Sequence, residues 1–305
     1  MTGGTGLVGK TVVQRLLDAG MRIKLLSRRR GIASVFNSPA VDICAGDVLD
    51  PVSLRPWAQG AATVFHLAGE VHEAGRFWPV NVQGTMNVLA ASRHAGASRV
   101  VCLSSVGVIG KGNTGPDVDE HTATRPRNEY ERSKLAGENE CLRQNQAAFT
   151  VTALRPPIVY GEGKTSGRDS FLSLLRLLRS GRLVLLGRRY VSSYAYVGDV
   201  AEACLTLARH PSAGGRPFIV SEPLPLCTFL HEAATILGVR EPLVLPEWAG
   251  RPIAHGLRLT GRYGSLYNET RYRPDALLGL GFQPPFGYRE GLRRTLAWYT
   301  QERLL

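Results

Sequence analysis

Three residues in the sequence have the types and spacing to move a proton: Ser105, Tyr130 and Lys134. Tyr130 and Lys134 are four positions apart, which on a helix puts both side chains on one face. A free phenol titrates at about pKa 10 and is a poor acid or base near pH 7. A neighbouring ammonium favours the phenolate and lowers that value. Ser105 follows the apolar run Arg99–Leu103 and Ser104, so its hydroxyl is expected at a strand end, where it can hydrogen-bond a substrate oxygen. Alone, a Tyr and a Lys at this spacing also describe an ordinary surface pair; the third residue and the motif below raise the pattern above that.

The second feature opens the chain. Thr2-Gly3-Gly4-Thr5-Gly6-Leu7-Val8-Gly9 spaces Gly3, Gly6 and Gly9 three apart and leads into a helical pattern. Glycines let the backbone approach a pyrophosphate, and a helix N-terminus presents unpaired N–H groups and the positive end of its dipole. Gly3, Thr5, Gly6, Leu7, Val8 and Gly9 are therefore expected to bind a dinucleotide. About 18 residues further on, where an acidic residue would hold a ribose 2′-hydroxyl, the chain reads Ser27-Arg28-Arg29. Arg28 suits a 2′-phosphate, so NADP is favoured and NAD stays open. The same residues also fit a solvated basic turn.

The elements that must position these groups alternate. Helical patterns are expected at Leu7–Ala19, Pro51–Gln59, Val80–Ala95 and Tyr130–Gln144, with Asp50 capping the second. Strands are expected at Ile23–Leu26, Val41–Cys44, Thr63–Leu67, Arg99–Leu103 and Phe149–Leu154. This rhythm predicts an α/β fold with a doubly wound parallel sheet and a ligand crevice at the carboxyl ends of its strands. After Gly161 the pattern turns mainly helical: Ser170–Ser180, Val197–Arg209 and Tyr288 to about Arg303, with a strand at Phe218–Val220. Residues 1–161, with a return segment near 195–220, are expected to form the dinucleotide-binding domain, and 162–305 a smaller, mainly helical substrate lobe.

The 305 residues suffice for a sizeable core, and the net charge is +12. The basic residues are 32 Arg and 5 Lys, a skew that GC-rich bacterial coding produces. The excess charge also suits an anionic cofactor. The arginines are scattered apart from Arg28-Arg29-Arg30, and no nucleic-acid motif accompanies them, so no nucleic-acid partner is expected. The longest apolar stretch, Phe171–Leu186, is interrupted by Arg176, Arg179 and Arg182, and no membrane span is expected. Cys44, Cys102, Cys141, Cys204 and Cys227 are odd in number and lack metal-ligand spacing. They predict free thiols in a reducing cytoplasm and no metal site.

Taken in order along nearly the whole chain, the motifs resemble the extended short-chain dehydrogenase/reductase family, also called the NAD-dependent epimerase/dehydratase family. They comprise Thr2–Gly9, Gly46-Asp47-Val48, His66-Leu67-Ala68-Gly69, Asn81-Val82-Gln83-Gly84-Thr85, Leu103-Ser104-Ser105 to Gly110, Tyr130 to Lys134, Leu154-Arg155-Pro156-Pro157-Ile158-Val159-Tyr160-Gly161, Val197–Ala201 and Leu280–Pro284. The resemblance implies a Rossmann fold and an NAD(P)-dependent dehydrogenase, reductase or epimerase. Tyr130 would be the acid/base, Lys134 would lower its pKa and hold the nicotinamide ribose, and Ser105, rather than Ser104, would orient the substrate oxygen. Asp47 and Val48 would flank the adenine, Ala68 and Gly69 would line the cofactor, Asn81 would sit beneath the site, and Pro156 and Pro157 would border the nicotinamide. The bland readings are a turn residue for Asp47 and a helix-end polar group for Asn81.

Departures from the pattern narrow the chemistry. Sugar-nucleotide dehydratases carry an Asp-Glu pair where Val106-Gly107 stand here, so dehydration is not expected. Sugar-nucleotide epimerases usually carry Asn near Ile158 and Arg near Ser192, both serving the diphosphate; Arg188 or Arg189 could compensate. Ile158 instead resembles the hydroxysteroid dehydrogenase and flavonol reductase branches. The expected reaction is hydride transfer at a carbinol or ketone carbon of a hydroxysteroid-like or other fairly apolar small molecule. A nucleotide-sugar epimerase or reductase is the alternative, and a non-catalytic dinucleotide-binding sensor or assembly protein the alternative of another class. The leucine-rich helix from Phe171 either lines the substrate pocket or belongs to the core. A homodimer through helices that include Tyr130–Gln144 is open. Members of the family have a strand before the glycine motif, and this chain has only Met1 there; the first central strand is expected to be absent, with Met1 a misassigned start or, as the alternative, the start of a genuinely truncated chain.

Overall fold

The computed structural model describes residues 1–28, 36, 38–110, 117–163, 170–192, 194–259 and 269–305. Arg29 and Arg30 of the basic run lie outside the described residues.

Helices α1 (Leu7–Asp18), α2 (Pro51–Ala58), α3 (Thr85–His94) and α4 (Glu129–Arg143) alternate with strands β1 (Ile23–Ser27), β2 (Val41–Ala45), β3 (Thr63–His66), β4 (Arg99–Leu103) and β5 (Thr150–Arg155). Asp50 caps α2 as expected, its carboxylate accepting from the Val52 N–H at 3.0 Å. Strands β6 (Ile158–Tyr160) and β7 (Tyr194–Tyr196) form a short parallel pair. The return to the main sheet is made by α6 (Val197–Arg209) and β8 (Pro217–Ile219), after α5 (Ser170–Arg179). The chain then runs through α7 (Leu226–Leu237) and α8 (Glu247–Leu259) to α9 (Gly287–Gln301).

The main sheet is parallel throughout, in the order β8-β5-β4-β3, with β1-β2 as a separate parallel pair. Between the two stand Met1 and Thr2. Thr2 bridges to His66 in parallel sense, its N–H donating to Phe65 O (3.0 Å) while its carbonyl accepts from Leu67 N (3.3 Å). On the other side Met1 O accepts from Leu26 N (2.9 Å), and the Met1 amino group donates to Lys24 O (2.7 Å). Met1 and Thr2 thus join β1 to β3 at the end of the sheet nearest the glycine loop.

Successive side chains of a strand point to opposite faces, and both faces here are apolar. Val101 and Leu154 pack with α1 and α6 on one side; Val100, Cys102 and Val151 pack with Trp57, Leu89 and Cys141 from α2, α3 and α4 on the other. The first of these cores continues without a break into the C-terminal helices through the rings of Tyr160, Phe171, Tyr194 and Phe229. Phe171 lies 4.7 Å from Tyr160 and 5.2 Å from Tyr194 between ring centroids, and Tyr194 lies 5.4 Å from Phe229. Phe171, Leu172, Leu174, Leu175 and Leu178 of α5 are all buried there, so this leucine-rich face is core and not a pocket wall. The edge strand β8 is covered by Glu120, whose carboxylate accepts from Ile219 N at 2.9 Å.

One expected helix is different in kind. Residues Pro79–Gly84 wind as wider, π-helical turns before α3 begins at Thr85. Turns of this type recur at functional sites, and Asn81 lies within them. No helix among the described residues is long and apolar enough to cross a membrane. All five cysteines are free thiols.

Candidate active site

The glycine loop is built by close approaches. Gly3 has φ +69°, and a Cβ there would sit 2.5 Å from the Ala68 nitrogen. A Cβ at Gly9 would overlap the Gly3 carbonyl oxygen and lie 2.7 Å from the Gly4 Cα. Gly6, the N-cap of α1, supplies no side-chain cap, and the first turn of the helix has no acidic residue. Its N-terminal N–H groups are thus available to an anion.

This loop forms one wall of a cleft of about 550 Å³, a size suited to a cofactor. Of the residues expected to hold a dinucleotide, Gly3, Thr5, Gly6, Arg28, Asp47, Val48, Ala68 and Gly69 line it. Leu7, Val8 and Gly9 start the helix behind the loop, Val8 and Gly9 being buried. Pro156 and Pro157 connect β5 to β6, and Pro156 O accepts from Val106 N (3.1 Å) beside Ser105. Asp47 combines both of its readings: it lines the cleft, and its carboxylate accepts from Leu49 N (3.0 Å) in a turn. Lys10 and Arg76 also line the cleft, so with Arg28 it holds three cations against the carboxylates Asp47 and Glu70. Sequence reasoning missed Lys10 and Arg76, although Lys10 directly follows the glycine motif.

The cradle fits a dinucleotide: the backbone approaches that a Cβ would block, the uncapped helix N-terminus and the excess of cations all favour a bound pyrophosphate.

Ser105, Tyr130 and Lys134 do not themselves line this cleft but stand next to it, and Tyr130 is the second residue of α4. Asn128 caps that helix, accepting from Glu131 N at 2.9 Å, and the Glu131 carboxylate reaches back to Arg127 N at 2.7 Å. This pair of bonds resembles a capping box and fixes where the helix begins. The Tyr130 hydroxyl hydrogen-bonds Ser105, whose Oγ also accepts from Gly107 N (3.1 Å). Phe77 packs edge-on against the Tyr130 ring at 5.6 Å. One turn along the helix, Lys134 Nζ donates to Leu103 O at 2.6 Å, and a Cβ at Gly69 would lie 3.6 Å from the same nitrogen. The structure thus brings Ser105, Tyr130 and Lys134 together beside the Ala68–Gly69 end of the cleft.

The electrostatics differ from the simple expectation. Burial raises the Tyr130 phenol above its ordinary value, the Ser105 hydrogen bond pulls it down, and the Glu131 carboxylate raises it. The lowering expected from Lys134 does not govern, because its ammonium is turned to the Leu103 carbonyl. Burial in turn lowers Lys134, against the opposing pull of groups that include Glu138. Glu138 pairs with Arg155 in the interior, through Nε to Oε2 at 2.9 Å.

Asn81 is buried and fully engaged. Its amide accepts from Glu70 N (2.8 Å) and donates to Glu70 O (3.0 Å) and Ser133 Oγ (3.0 Å). It clasps the loop after Gly69 to the helix that carries Tyr130 and Lys134, which is more than a helix-end polar group does. Behind it, Thr85 Oγ1 donates to Asn81 O (2.8 Å), and His66 lies between Thr85 Oγ1 (2.9 Å) and Thr2 Oγ1 (2.8 Å). A histidine closing the apolar strand β3 is the sequence signal that could have marked this group.

Comparison with known proteins agrees with this geometry. The chain is 29% identical over 268 residues to the decarboxylating sterol-4-alpha-carboxylate 3-dehydrogenase of Bos taurus, covering 81% of this chain and 72% of that one. It is 28% identical over 336 residues to a 3 beta-hydroxysteroid dehydrogenase/Delta 5→4-isomerase of Mycobacterium tuberculosis, covering 98% and 89%. The fold is that of the UDP-glucose 4-epimerase of Thermus thermophilus solved with NAD, at a TM-score of 0.75 and 24% identity over 98% of this chain and 97% of that one. The model of the NAD-dependent epimerase/dehydratase family matches residues 1–221. With its Rossmann sheet, its glycine loop and this match, the chain belongs to that family, and is an NAD(P)-dependent enzyme of the dehydrogenase or epimerase type.

Proposed function

We propose that the chain is an oxidoreductase that transfers hydride at a carbinol or ketone carbon of a fairly apolar, hydroxysteroid-like substrate, with residues 162–305 supplying the substrate-facing lobe. The observation that carries this reading is the hydrogen-bonded Ser105–Tyr130 pair, with Lys134 beside it, next to a cleft shaped for a dinucleotide. A bound nicotinamide would supply or accept the hydride. Ser105 would hold the substrate oxygen, and Tyr130 would give or take its proton at the phenolic oxygen. Lys134 would hold the nicotinamide ribose and favour the phenolate once Tyr130 releases its proton. Asn81 and Leu103 O would hold Lys134 and its helix in place.

Arg28, exposed at the end of β1 and on the cleft wall, favours NADP through its 2′-phosphate. Ile158 and the buried Ser192 offer no charge to a nucleotide diphosphate; of the two arginines that could compensate, Arg189 is engaged by Glu247 (3.5 Å) and Glu269 (3.4 Å), and Arg188 is exposed. These features favour simple redox chemistry over sugar-nucleotide epimerisation. The two similar dehydrogenases act, by name, on steroid or sterol substrates.

The test is turnover of a panel of secondary alcohols and ketones with NADP(H) and NAD(H), for the wild type and Tyr130→Phe. Turnover lost by about 10²–10⁴-fold with unchanged cofactor affinity supports the reading. Full activity in the variant overturns it, and cofactor binding without turnover on any alcohol, ketone or nucleotide sugar points to a sensor.

A further inference from the structure

His66 stands at the centre of a hydrogen-bond chain whose direction can be read. Thr85 Oγ1 gives its proton to the Asn81 carbonyl, so towards His66 Nε2 it must accept. The ring is therefore the Nε2–H tautomer. Its Nδ1 is then an acceptor, and the Thr2 hydroxyl donates to it. That leaves the Thr2 oxygen to accept from the Ala68 N–H at 3.3 Å. The run is continuous from the Ala68 amide through Thr2, His66 and Thr85 to the Asn81 carbonyl, each hydroxyl donating onward in the same direction. Burial keeps the ring neutral, with its pKa lowered to about 3, and positive charge on Lys134 and on the chain's amino end lowers it further.

One end of this run lies at the cleft: Thr2 leads into Gly3, whose backbone lies against the Leu67–Ala68 peptide, and Thr2, Gly3 and Ala68 all line the cleft. Asn81 holds Glu70 and the Tyr130 helix.

We infer that His66 is a positioning residue: through Thr2 it fixes the glycine loop against the Ala68–Gly69 strip, and through Thr85 it ties both to the segment that carries Asn81. The inference rests on the reading of the cleft as a nicotinamide-dinucleotide site. An imidazole meets the demand because it presents one acceptor and one donor in a rigid ring. Neither Phe nor Leu does so, and Lys or Arg would bring a buried charge.

Two substitutions separate the halves of the relay. In His66→Asn the amide oxygen takes the place of Nδ1 and keeps the Thr2 contact. In His66→Gln the amide nitrogen takes the place of Nε2 and keeps the Thr85 contact. The experiment combines fluorescence titration with NADPH and NADH, thermal unfolding, and ¹⁵N-imidazole NMR of the wild type. The expected result is a similar loss of thermal stability in both variants, with cofactor affinity weakened by roughly tenfold or more only in His66→Gln. The wild-type imidazole is expected to show a protonated Nε2, a bare Nδ1 and no titration between pH 8 and about pH 5. Equal affinities in the two variants, a protonated Nδ1 or a titration near pH 6.5 would overturn the inference. A wild-type protein that binds neither NADPH nor NADH overturns the cofactor reading instead, and the affinity arm of the inference with it.

Discussion

The ammonium of Lys134 donates to the carbonyl oxygen of Leu103 across 2.6 Å, joining the helix of Tyr130 to the end of the strand that leads into Ser105. The side chain is largely desolvated, and burial lowers its pKa. Removing the charge in Lys134→Met relieves that desolvation while costing one hydrogen bond, and the two effects oppose each other. The expected outcome is a stability change within about 1 kcal/mol by chemical denaturation. Turnover is expected to fall by about a hundredfold or more. A large loss of stability with turnover kept would assign Lys134 to the fold alone.

Gly9 has no room for a side chain. A Cβ there overlaps the Gly3 carbonyl, and backbone cannot yield as a flexible side chain can. Gly9→Ala should displace the loop, destabilise the protein by about 1–3 kcal/mol and abolish measurable dinucleotide binding by calorimetry. An unchanged affinity would show that the loop does not form the binding surface.

Arg28 tests the choice of cofactor. A charge-assisted contact to a 2′-phosphate is worth about 1.5–3 kcal/mol. Arg28→Ala should therefore weaken NADPH by roughly 10–100-fold and leave NADH nearly unchanged. Equal effects on both, or none, would remove Arg28 from cofactor selection.

Two buried groups give stability opposite dependences on pH. The folded pKa of His66 is lowered to about 3, so the folded state binds fewer protons than the unfolded chain. Its contribution is fully present above about pH 6.5 and is lost as pH falls towards 3. Asp199, which caps α9 by accepting from Phe286 N (3.0 Å) and Gly287 N (3.1 Å), has its pKa raised by burial to about 6. Its contribution is fully present below about pH 3.9 and is lost as pH rises through 6. Between pH 4 and 6 the two slopes, each about 1.4 kcal/mol per pH unit at most, oppose each other. Relative to wild type, His66→Gln should lose stability with rising pH in this window, and Asp199→Asn should gain it. Urea denaturation at pH 4, 5, 6 and 7 measures both; parallel profiles for all three proteins would contradict the assignment.

Most of the sheet was legible because local chemistry and fold agree. Pro51 after Asp50 marks a capped helix start, and the apolar run Val100–Cys102 within Arg99–Leu103 is buried on both faces as parallel strands require. Helical periodicity put Tyr130 and Lys134 on one face, and Ser105 was legible as a hydroxyl past a strand end; spacing alone did not single out the group, which took the glycine motif and the family resemblance as well. The electrostatics were not legible, because the pKa of Tyr130 depends on how deeply the ring is buried and where Lys134 turns. The π-helical turns at Asn81 were also hidden: periodicity reads Val80–Ala95 as one regular helix, and the wider turns depend on tertiary contacts to Glu70 and Ser133. The leucine-rich face of α5 could have lined a pocket or a core, and its packing on Tyr160 and Tyr194 decides for core.

The uninterrupted core from α1 through the rings of Tyr160, Phe171, Tyr194 and Phe229 to α9 also bears on how such a chain can diversify. A crossover near Gly161 would cut through one shared interior and leave two apolar faces that evolved against different partners. Relatives are thus expected to exchange substrate preference by substitution in the loops around the cleft, and not by trading whole C-terminal halves.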